Sequence, residues 1–527
     1  MQLINKLNTS FFVGIFIFFF AVLYNQYIGN KGIFPIDSFL HFDTGYRIYL
    51  GEYPFKDYWV VSGPLIDLLQ SALFFLFGVS WKSYVLNGSL LNGFFSVLSY
   101  FIFKKGGLAQ SFSIFYSISV AILAYPVSAS PFVDLHSTYF AIIAVYFFII
   151  SLITKKNFYF FFIPIFLSLA FFSKQVPAGY LFISIFICLF FYLLINGLRK
   201  NLDILIILLL SSLICFSTFL AILKINKIPI PIFLEQYIFY PSEIGNKRFS
   251  FSIYNFKNLI LNFKLIHVIF FTYFVLIFYQ LRSKKTFIKS NNFIIFLLIF
   301  FSFISLINHQ ILTRNQIFIF FLIPIFCALA HIELNKNFQN KKKFYNILLI
   351  IFCLTCVLKY NYRFNIERKF HELENVNFSN SIDAGIIDKK LSGLNWITPN
   401  KKTKKDVIDE INFIKKIIKN LTEDKENKMV ITNYSFFSVL LGKSQNGITR
   451  AYPGDNSAFP NINSFYLQSY KYYFKDKLIK NNIKKIYILY DVSKNNLTDY
   501  ISNECLKQEL SNELFIKFYF DSNCNYK

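Results

Sequence analysis

A chain of 527 residues that is 55% hydrophobic and only 16% charged carries too little charge for a soluble protein of this length. Its formal net charge of +25 raises the question of nucleic-acid binding. No recognition motif accompanies that charge, and the lysines and arginines stand in short clusters between apolar blocks or in a polar tail. The composition therefore argues against a soluble protein and against a nucleic-acid partner, and it favours an integral membrane protein.

Long apolar blocks predict about eleven transmembrane helices. Each block, with its flanks, approaches the roughly 20 residues that cross about 30 Å of hydrocarbon. No small-residue cleavage site follows the first block, so we interpret it as a retained helix and not as a signal peptide. The predicted helices span approximately 10–30, 83–103, 108–126, 137–153, 157–172, 178–197, 202–223, 262–281, 290–308, 315–332 and 344–359.

Basic clusters between these blocks predict the orientation, because cytoplasmic loops carry the excess of Lys and Arg. Successive clusters are separated by two membrane blocks, so the N-terminus is expected in the cytoplasm and the C-terminus in the periplasm of a bacterial inner membrane. The clusters are Lys6, Lys104–Lys105, Lys155–Lys156, Arg199–Lys200, Arg282–Lys285 and Lys341–Lys343.

One short apolar block, Leu65–Gly78, contains Asp67 and Gln70. If it crossed the membrane, every later basic cluster would face outward, against the charge rule. We therefore expect this block to lie flat on the membrane surface, within a long outer loop at 31–82.

The polar tail predicts a small α/β domain. Thr403 and Asp406 resemble a capping box, and apolar residues at helical spacing follow them. Strand candidates are Met429–Thr432, Ile486–Tyr490 and Leu514–Phe520. The sequence thus divides into a transmembrane domain, 1–359, and a soluble periplasmic α/β domain, 360–527.

Seven cysteines divide between the two predicted domains. Five lie inside apolar blocks, where they are expected to behave as small hydrophobes. Cys505 and Cys524 lie in the tail, and they could form a disulfide if that tail is exported.

Two aspartates of the first outer loop are candidates for acid–base chemistry. Asp37 stands just beyond the end of the first helix, at the membrane interface, where a carboxylate could take a proton from a hydroxyl nucleophile. The alternative is a solvated loop aspartate or a cap for the next helix. Asp43 is a second candidate, although its six-residue distance from Asp37 does not align the two on one helix face.

Further polar residues lie on the same predicted side of the membrane. Asp134 and His136 could hold an acceptor or complete a metal site, or Asp134 could cap a helix. Lys174 is a lone cation between two short helices, and a lipid phosphate is a suitable partner for it. The alternative is that its ammonium reaches the membrane surface to be solvated. Arg314 is likewise a cation on the predicted outer side, and its guanidinium would suit a phosphate. His309 lies about one helical turn before it.

Taken in order, these features resemble the GT-C glycosyltransferase superfamily, which includes protein O-mannosyltransferases and the lipid A aminoarabinose transferase. The family has an acidic residue after its first helix, a Gly-x-x-Pro-type turn, a Pro-Pro-Leu motif, a flat apolar helix ending in Phe-Gly, a Lys turn and a late Arg-to-Pro helix. The matching segments are Asp37, Gly51–Pro54, Gly63–Leu65, Leu76–Gly78, Phe171–Lys174 and Arg314–Pro324. Two departures are Ser38, where many relatives have Glu, and Ser62–Gly63, which replaces a Lys/His-Pro start.

The resemblance implies an inverting glycosyltransferase that moves a sugar from a polyprenyl-phosphate donor to an envelope glycan, lipid or protein at the periplasmic face. In it, Asp37 would deprotonate the acceptor, and Lys174 and Arg314 would stabilise the leaving phosphate. Lipid-linked donor and membrane lipids are the implied partners, no cofactor is certain, and a divalent metal stays open. The rival hypotheses are a transporter or flippase, for which mid-membrane charges and inverted repeats are typical, and a polysaccharide polymerase or ligase.

Overall fold

A computed structural model describes residues 2–250, 252–283, 288, 290–314, 319–337, 342–453, 457–492, 495–522 and 524. Parts of the predicted 315–332 helix and of the clusters Arg282–Lys285 and Lys341–Lys343 lie outside these residues. The chain forms two compact units. The first, called the membrane unit here, consists of Met1–Gly29, Gly88–Leu220 and Phe251–Phe370. The second, called the outer unit, consists of Asn30–Asn87, Ala221–Ser250 and His371–Lys527.

Helices make up most of the described chain. The first seven are α1 (Gln2–Gly29), α2 (Pro35–Ser38), α3 (Leu40–Tyr49), α4 (Pro64–Phe77), α5 (Trp81–Lys105), α6 (Gln110–Leu123) and α7 (Val133–Thr154). The next seven are α8 (Phe162–Ser173), α9 (Gln175–Asn196), α10 (Leu202–Ile225), α11 (Ile230–Leu234), α12 (Tyr240–Ser250), α13 (Phe256–Leu259) and α14 (Lys264–Ser283). The last seven are α15 (Asn291–Thr313), α16 (Leu322–Asn337), α17 (Lys342–Asn361), α18 (Lys404–Glu423), α19 (Phe437–Leu441), α20 (Leu467–Lys480) and α21 (Asn495–Thr498).

Each of the eleven predicted membrane segments overlaps one of these helices. Within the described residues, nine stretches are long and apolar enough to cross a membrane. They contain α1, α5, α6, α7, α9, α10, α14, α15 and α17. The other two, α8 and α16, have 12 and 16 residues. The prediction of a polytopic helical membrane protein is confirmed.

The membrane unit packs around α7, the most enclosed of the nine stretches. This helix contacts α8, α9 and α15. By contrast α10 buries little of its apolar surface, as expected of a helix that faces lipid. Inside the unit, short polar side chains join helices: the Asn25 amide donates to Ser89 Oγ at 2.8 Å and to the Ala129 carbonyl at 3.0 Å.

The outer unit contains a mixed four-stranded sheet. Its strands are β3 (Lys428–Ile431), β4 (Lys485–Leu489), β5 (Leu506–Ser511) and β6 (Phe515–Phe520), after a two-residue pair, β1 (Ile382–Asp383) and β2 (Asn395–Trp396). The spatial order is β3-β4-β6-β5, with β3 and β4 parallel and the other neighbours antiparallel. The three predicted strands are present. The sequence did not indicate β5, because its largely exposed, mixed residues lack the apolar alternation of a half-buried strand.

Local sequence signals in the tail behave as expected. The Thr403 hydroxyl accepts from the Asp406 N–H at 3.2 Å, and the Asp406 carboxylate accepts from the Thr403 N–H at 3.1 Å, which is the capping box at the start of α18. Cys505 and Cys524 form a disulfide with their Cα atoms 5.3 Å apart. The other five cysteines are free.

The short helix α4 is polar on its inner side and apolar on its outer side. Asp67 and Gln70 are fully buried, whereas Phe75, Leu76 and Phe77 are among the most exposed apolar residues of the outer unit. An exposed apolar face of this kind is typical of a helix that lies on a membrane. It supports the predicted surface location of α4, which stays a prediction.

The outer unit also includes the first outer loop and the segment 221–250 together with the tail. Several backbone hydrogen bonds connect the loop to the tail: the Gly32 and Ile33 N–H groups donate to the Asn395 and Ile397 carbonyls at 3.1 and 3.0 Å, and the Trp59 N–H donates to Ile448 at 2.7 Å. The domain boundary at 359/360 stays a prediction, but the loop that carries Asp37 is folded with the tail.

Candidate functional site

Three of the predicted site residues meet in the membrane unit, in what we call the Asp134 cluster (Asp134, Lys174 and His309). The Lys174 ammonium lies 2.9 and 2.8 Å from the two carboxylate oxygens of Asp134. The His309 Nε2–H donates to the same carboxylate at 2.9 Å. The side chains of Asp134 and His309 are 2% and 0% exposed, whereas that of Lys174 is 15% exposed. The cluster is therefore a buried carboxylate with a cation that remains accessible.

The ends of four helices position this cluster. Asp134 lies in the first turn of α7, after an N-terminal cap at Phe132, so it does not occupy the capping position. Lys174 is the extended residue between α8 and α9, and its carbonyl accepts from Ser137 Oγ at 2.8 Å. His309 is near the end of α15. These helix ends consequently lie on one side of the unit.

Two other predicted residues of this side lie apart from the cluster. His136 is buried, and its Nδ1 lies 2.6 Å from the Tyr125 hydroxyl. Arg314 is an exposed residue in left-handed conformation (φ 56°) at the end of α15. The hydrogen bonds to the Asp134 carboxylate described above come from Lys174 and His309.

The possibility of a metal site finds no support in the described residues, since no three His, Cys, Asp or Glu side chains come together there. The Asp134 carboxylate, which the sequence offered as a ligand, is instead held by an ammonium and an imidazole N–H.

Asp37 lies in the outer unit, in the short helix α2 that follows α1 by a few residues. Its side chain is partly exposed. The helix α3 has Phe39 at its N-terminal cap, so Asp37 is not the cap of α3. The next residue, Ser38, is fixed in place: its hydroxyl accepts from the Phe34 N–H at 3.0 Å and lies 3.3 Å from Nδ1 of His371. Asp37 thus stands on a turn that the tail helps to hold.

Asp43 makes a contact that indicates a structural role. Its carboxylate accepts from the Ser438 N–H of α19 at 3.1 Å, which joins the first outer loop to the tail. Burial raises the pKa of Asp43, and the nearby Arg47 guanidinium and the Ser438 hydrogen bonds oppose that rise. The Asp43 carboxylate is therefore held by a backbone N–H of the tail, and its role as a general base stays a prediction.

A second charged group, which we call the Asp67 cluster (His41, Thr44, Tyr58, Asp67 and Arg450), was not identified as a site from the sequence. The Asp67 carboxylate is fully buried and accepts from His41 Nδ1–H at 2.7 Å, Thr44 at 2.6 Å and Tyr58 at 3.2 Å. Arg450 donates to it from the tail, and also to the Ser62 carbonyl.

Electrostatics explain why this second cluster is stable. Burial alone would raise the pKa of Asp67, but the Arg450 guanidinium and the His41 hydrogen bond hold it below its ordinary value. Burial lowers the pKa of His41, which favours a neutral imidazole that donates to the carboxylate. The signal in the sequence was a single charged residue inside an apolar block, which usually has a partner.

Arg47 adds a further connection between the loop and the tail. Its guanidinium pairs with Glu52 at 2.6 Å, donates to the Gly447 carbonyl at 2.6 Å, and lies 4.4 Å from the centre of the Tyr58 ring. Arg47 of the loop binds Gly447 of the tail, and Arg450 of the tail binds Ser62 and Asp67 of the loop. These contacts connect the first outer loop to the tail.

Comparison with known proteins gives matches in structure alone. No family model and no curated protein matches the sequence. Crystal structures of ArnT from Cupriavidus metallidurans are similar over nearly the whole chain. The one bound to undecaprenyl phosphate is 9% identical, with 98% of each chain covered and a TM-score of 0.44. The apo structure is 11% identical, with 99% of each chain covered and a TM-score of 0.42.

Proposed function

We propose that this protein is a membrane glycosyltransferase that moves a sugar from a polyprenyl-phosphate donor to a hydroxyl group of an envelope acceptor at the periplasmic face. The observation that carries the proposal is the Asp134 cluster, where an accessible ammonium is held by a buried carboxylate at helix ends on one side of the membrane unit. Under the orientation that the basic clusters predict, this side faces the periplasm.

The chemistry of Lys174 suits a lipid phosphate. An ammonium has three N–H donors, and its contacts with Asp134 leave capacity for a phosphate oxygen. Asp134 and His309 fix the side chain, so little conformational entropy is lost when the phosphate binds. Undecaprenyl phosphate, which is bound in one of the ArnT structures, is the carrier that we propose as the leaving group.

Arg314 is the proposed second phosphate contact. Its side chain is exposed at the end of α15, the helix that also carries His309. A guanidinium can bind two phosphate oxygens at once, whereas an ammonium acts as a point charge. Two cations would stabilise the negative charge that develops on the phosphate as the bond to the sugar breaks.

Asp37 is the proposed general base. Its partly exposed carboxylate can accept the proton of an acceptor hydroxyl while the hydroxyl oxygen attacks the anomeric carbon. The phosphate leaves from the opposite face of the sugar, so the anomeric configuration inverts. Asp67 of the same loop is fully buried, whereas Asp37 is partly exposed, which favours Asp37 for the role.

The test is sugar transfer from a polyprenyl-phosphate donor by the full-length protein in liposomes, with thermal stability recorded on the same samples. Asp37→Asn preserves the shape of the side chain and removes its basicity. We expect turnover to fall by about 10²- to 10⁴-fold, with little change in the unfolding temperature.

Asp43→Asn and Asp57→Asn are controls from the same loop. The Asp57 carboxylate accepts from the Tyr53 N–H at 2.9 Å, so its role in the structure is to order a turn. Both controls should change stability more than turnover. Near-normal transfer by well-folded Asp37→Asn protein would rule out Asp37 as the base.

A further inference from the structure

We propose that the edge of the outer unit's sheet where β3 and β4 end is a carbohydrate-binding crevice that holds the acceptor. The inference deepens the proposed function and rests on it, because it names the acceptor class as a glycan. The crevice is lined by Thr432, Asn433, Tyr490 and Asp491, none of which belongs to either charged cluster.

The connections of the sheet predict a crevice at this edge. β3 and β4 are parallel neighbours, so their carboxyl ends lie at the same edge. The chain that leaves β3 enters α19, whose Phe437 and Val439 belong to the core on the α18 side of the sheet. The chain that leaves β4 enters α21, whose Leu497 belongs to the core on the α20 side. Adjacent connections that leave toward opposite faces open a gap at the strand ends, where open α/β sheets bind ligands.

Polar groups converge at this point. The Asp491 carboxylate accepts from the Thr432 hydroxyl at 3.0 Å and from the Asn433 N–H. The Asn433 side chain bridges the two strand ends, since its Nδ2 lies 3.4 Å from the Asp491 carbonyl and its Oδ1 accepts from the Tyr452 N–H at 2.8 Å. A carboxylate has about four lone-pair positions, so these two bonds orient Asp491 and leave it able to accept from sugar hydroxyls.

An aromatic ring stands beside these groups. Tyr490 directly precedes Asp491 and is 44% exposed. Its ring is held by an edge contact with Phe413, with centroids 4.6 Å apart, and lies 6.0 Å from the Tyr434 ring. A sugar ring has an apolar C–H face and a polar rim of hydroxyls. The C–H face can pack on the exposed Tyr490 ring, and the hydroxyls can donate to the Asp491 carboxylate.

The segments that border the crevice also contact the first outer loop. Tyr452, which donates to Asn433, follows Arg450 by two residues, and Arg450 binds Asp67. On the other side, Phe436 packs against Phe39 with ring centroids 4.9 Å apart. A glycan held at this edge would be bound by the same compact unit that carries Asp37, which suits the binding of an acceptor.

The experiment measures glycan binding directly, without transfer. Full-length protein in lipid nanodiscs is titrated with a panel of α- and β-linked hexose and N-acetylhexosamine disaccharides, and binding is followed by saturation-transfer NMR. The variants are Tyr490→Ala, Asp491→Asn and the conservative Tyr490→Phe. Tyr472→Ala is the matched control, because Tyr472 is an exposed tyrosine of α20.

We expect at least one disaccharide to bind, with its Kd raised about 10- to 100-fold by Asp491→Asn and by Tyr490→Ala. Tyr490→Phe and Tyr472→Ala should bind as the unaltered protein does. Binding that all four variants retain, or the absence of saturable binding across the panel, overturns the crevice. Unaltered protein that binds a disaccharide through Tyr490 yet transfers no sugar refutes the proposed function and not the crevice.

Discussion

The membrane unit and the outer unit each contain a buried aspartate that is held by one cation and one histidine, but only one of these clusters is open. In the Asp134 cluster the cation is Lys174, with 15% of its side chain exposed. In the Asp67 cluster it is Arg450, with 8% exposed, and the carboxylate also accepts from Thr44 and Tyr58. An aspartate, a histidine and a cation therefore form a partly exposed cation in one unit and a more enclosed ion pair in the other.

The difference follows from what each cation can do. A guanidinium donates in several directions at once, so Arg450 contacts both Asp67 and the Ser62 carbonyl and fixes loop and tail together. An ammonium on a flexible chain keeps donors for a ligand. A histidine and an aspartate beside a cation thus do not identify a functional site. In our proposal the more exposed of the two cations, Lys174, is the one that binds a ligand.

The largest effect on stability is expected when the sealed cluster is broken. Arg450→Met leaves the buried Asp67 carboxylate without its cation, which should lower the free energy of unfolding by about 3–5 kcal/mol. The exposed pair Lys419–Glu423, at 3.8 Å, supplies the control: Glu423→Ala should cost less than about 1 kcal/mol. Urea unfolding of the detergent-solubilised protein measures both, and equal losses would show that the Asp67 cluster is not structural.

The units also differ in their cysteines, since the disulfide Cys505–Cys524 belongs to the outer unit and the five free thiols lie elsewhere. Cys524→Ser should destabilise the outer unit by roughly 3 kcal/mol in the chain-entropy model. Thiol labelling of denatured protein should modify five cysteines before reduction and seven after it. Seven labelled thiols without reductant would contradict the pairing.

The open cluster is tested by removing its cation. Lys174→Ala should weaken use of the lipid donor about 10- to 100-fold in kcat/KM, because charge-assisted contacts to phosphate contribute about 1.5–3 kcal/mol. Arg314→Ala should act in the same direction. Lys336→Ala is the control, since Lys336 pairs with Glu333 at 2.8 Å in the same unit. Unchanged donor kinetics in Lys174→Ala would make the Asp134 cluster structural, like its counterpart.

A third carboxylate, that of the half-buried Asp491, extends the electrostatic comparison. Asp491 has hydrogen-bond donors around it in place of a cation, and burial raises its pKa from 3.8 to about 6 against the effect of Asn433 and Thr432. Because this pKa is raised in the folded state, the stability that it contributes is full below about pH 4 and is lost as the pH rises through about 6.

Asp491→Asn should therefore flatten the pH dependence of the unfolding temperature between about pH 4 and 7. The same measurement on Glu423→Ala should give the slope of the unaltered protein. An unchanged slope in the Asp491 variant would show that this carboxyl titrates as an ordinary one.

The sequence by itself determined the elements. Apolar blocks long enough to span a bilayer predicted the membrane helices, and the capping box and apolar spacing predicted α18, because these signals depend on neighbours within a few turns. It also placed Asp37 after the first helix, and the charge rule put Asp134, Lys174 and His309 on one side of the membrane.

Only the tertiary structure decided which of these residues meet. Asp67 and Arg450 are 383 residues apart, and Asp43 and Ser438 are 395 apart. No local pattern encodes such pairs, because they form only when the loop and the tail fold into one unit. The sequence offered Asp43 as a possible base, which stays a prediction, and it gave Asp67 no role; in the structure, hydrogen bonds connect both side chains to the tail. The tail strand β5 was missed for a related reason, since its pairing with β6 comes from the sheet and not from its own residues.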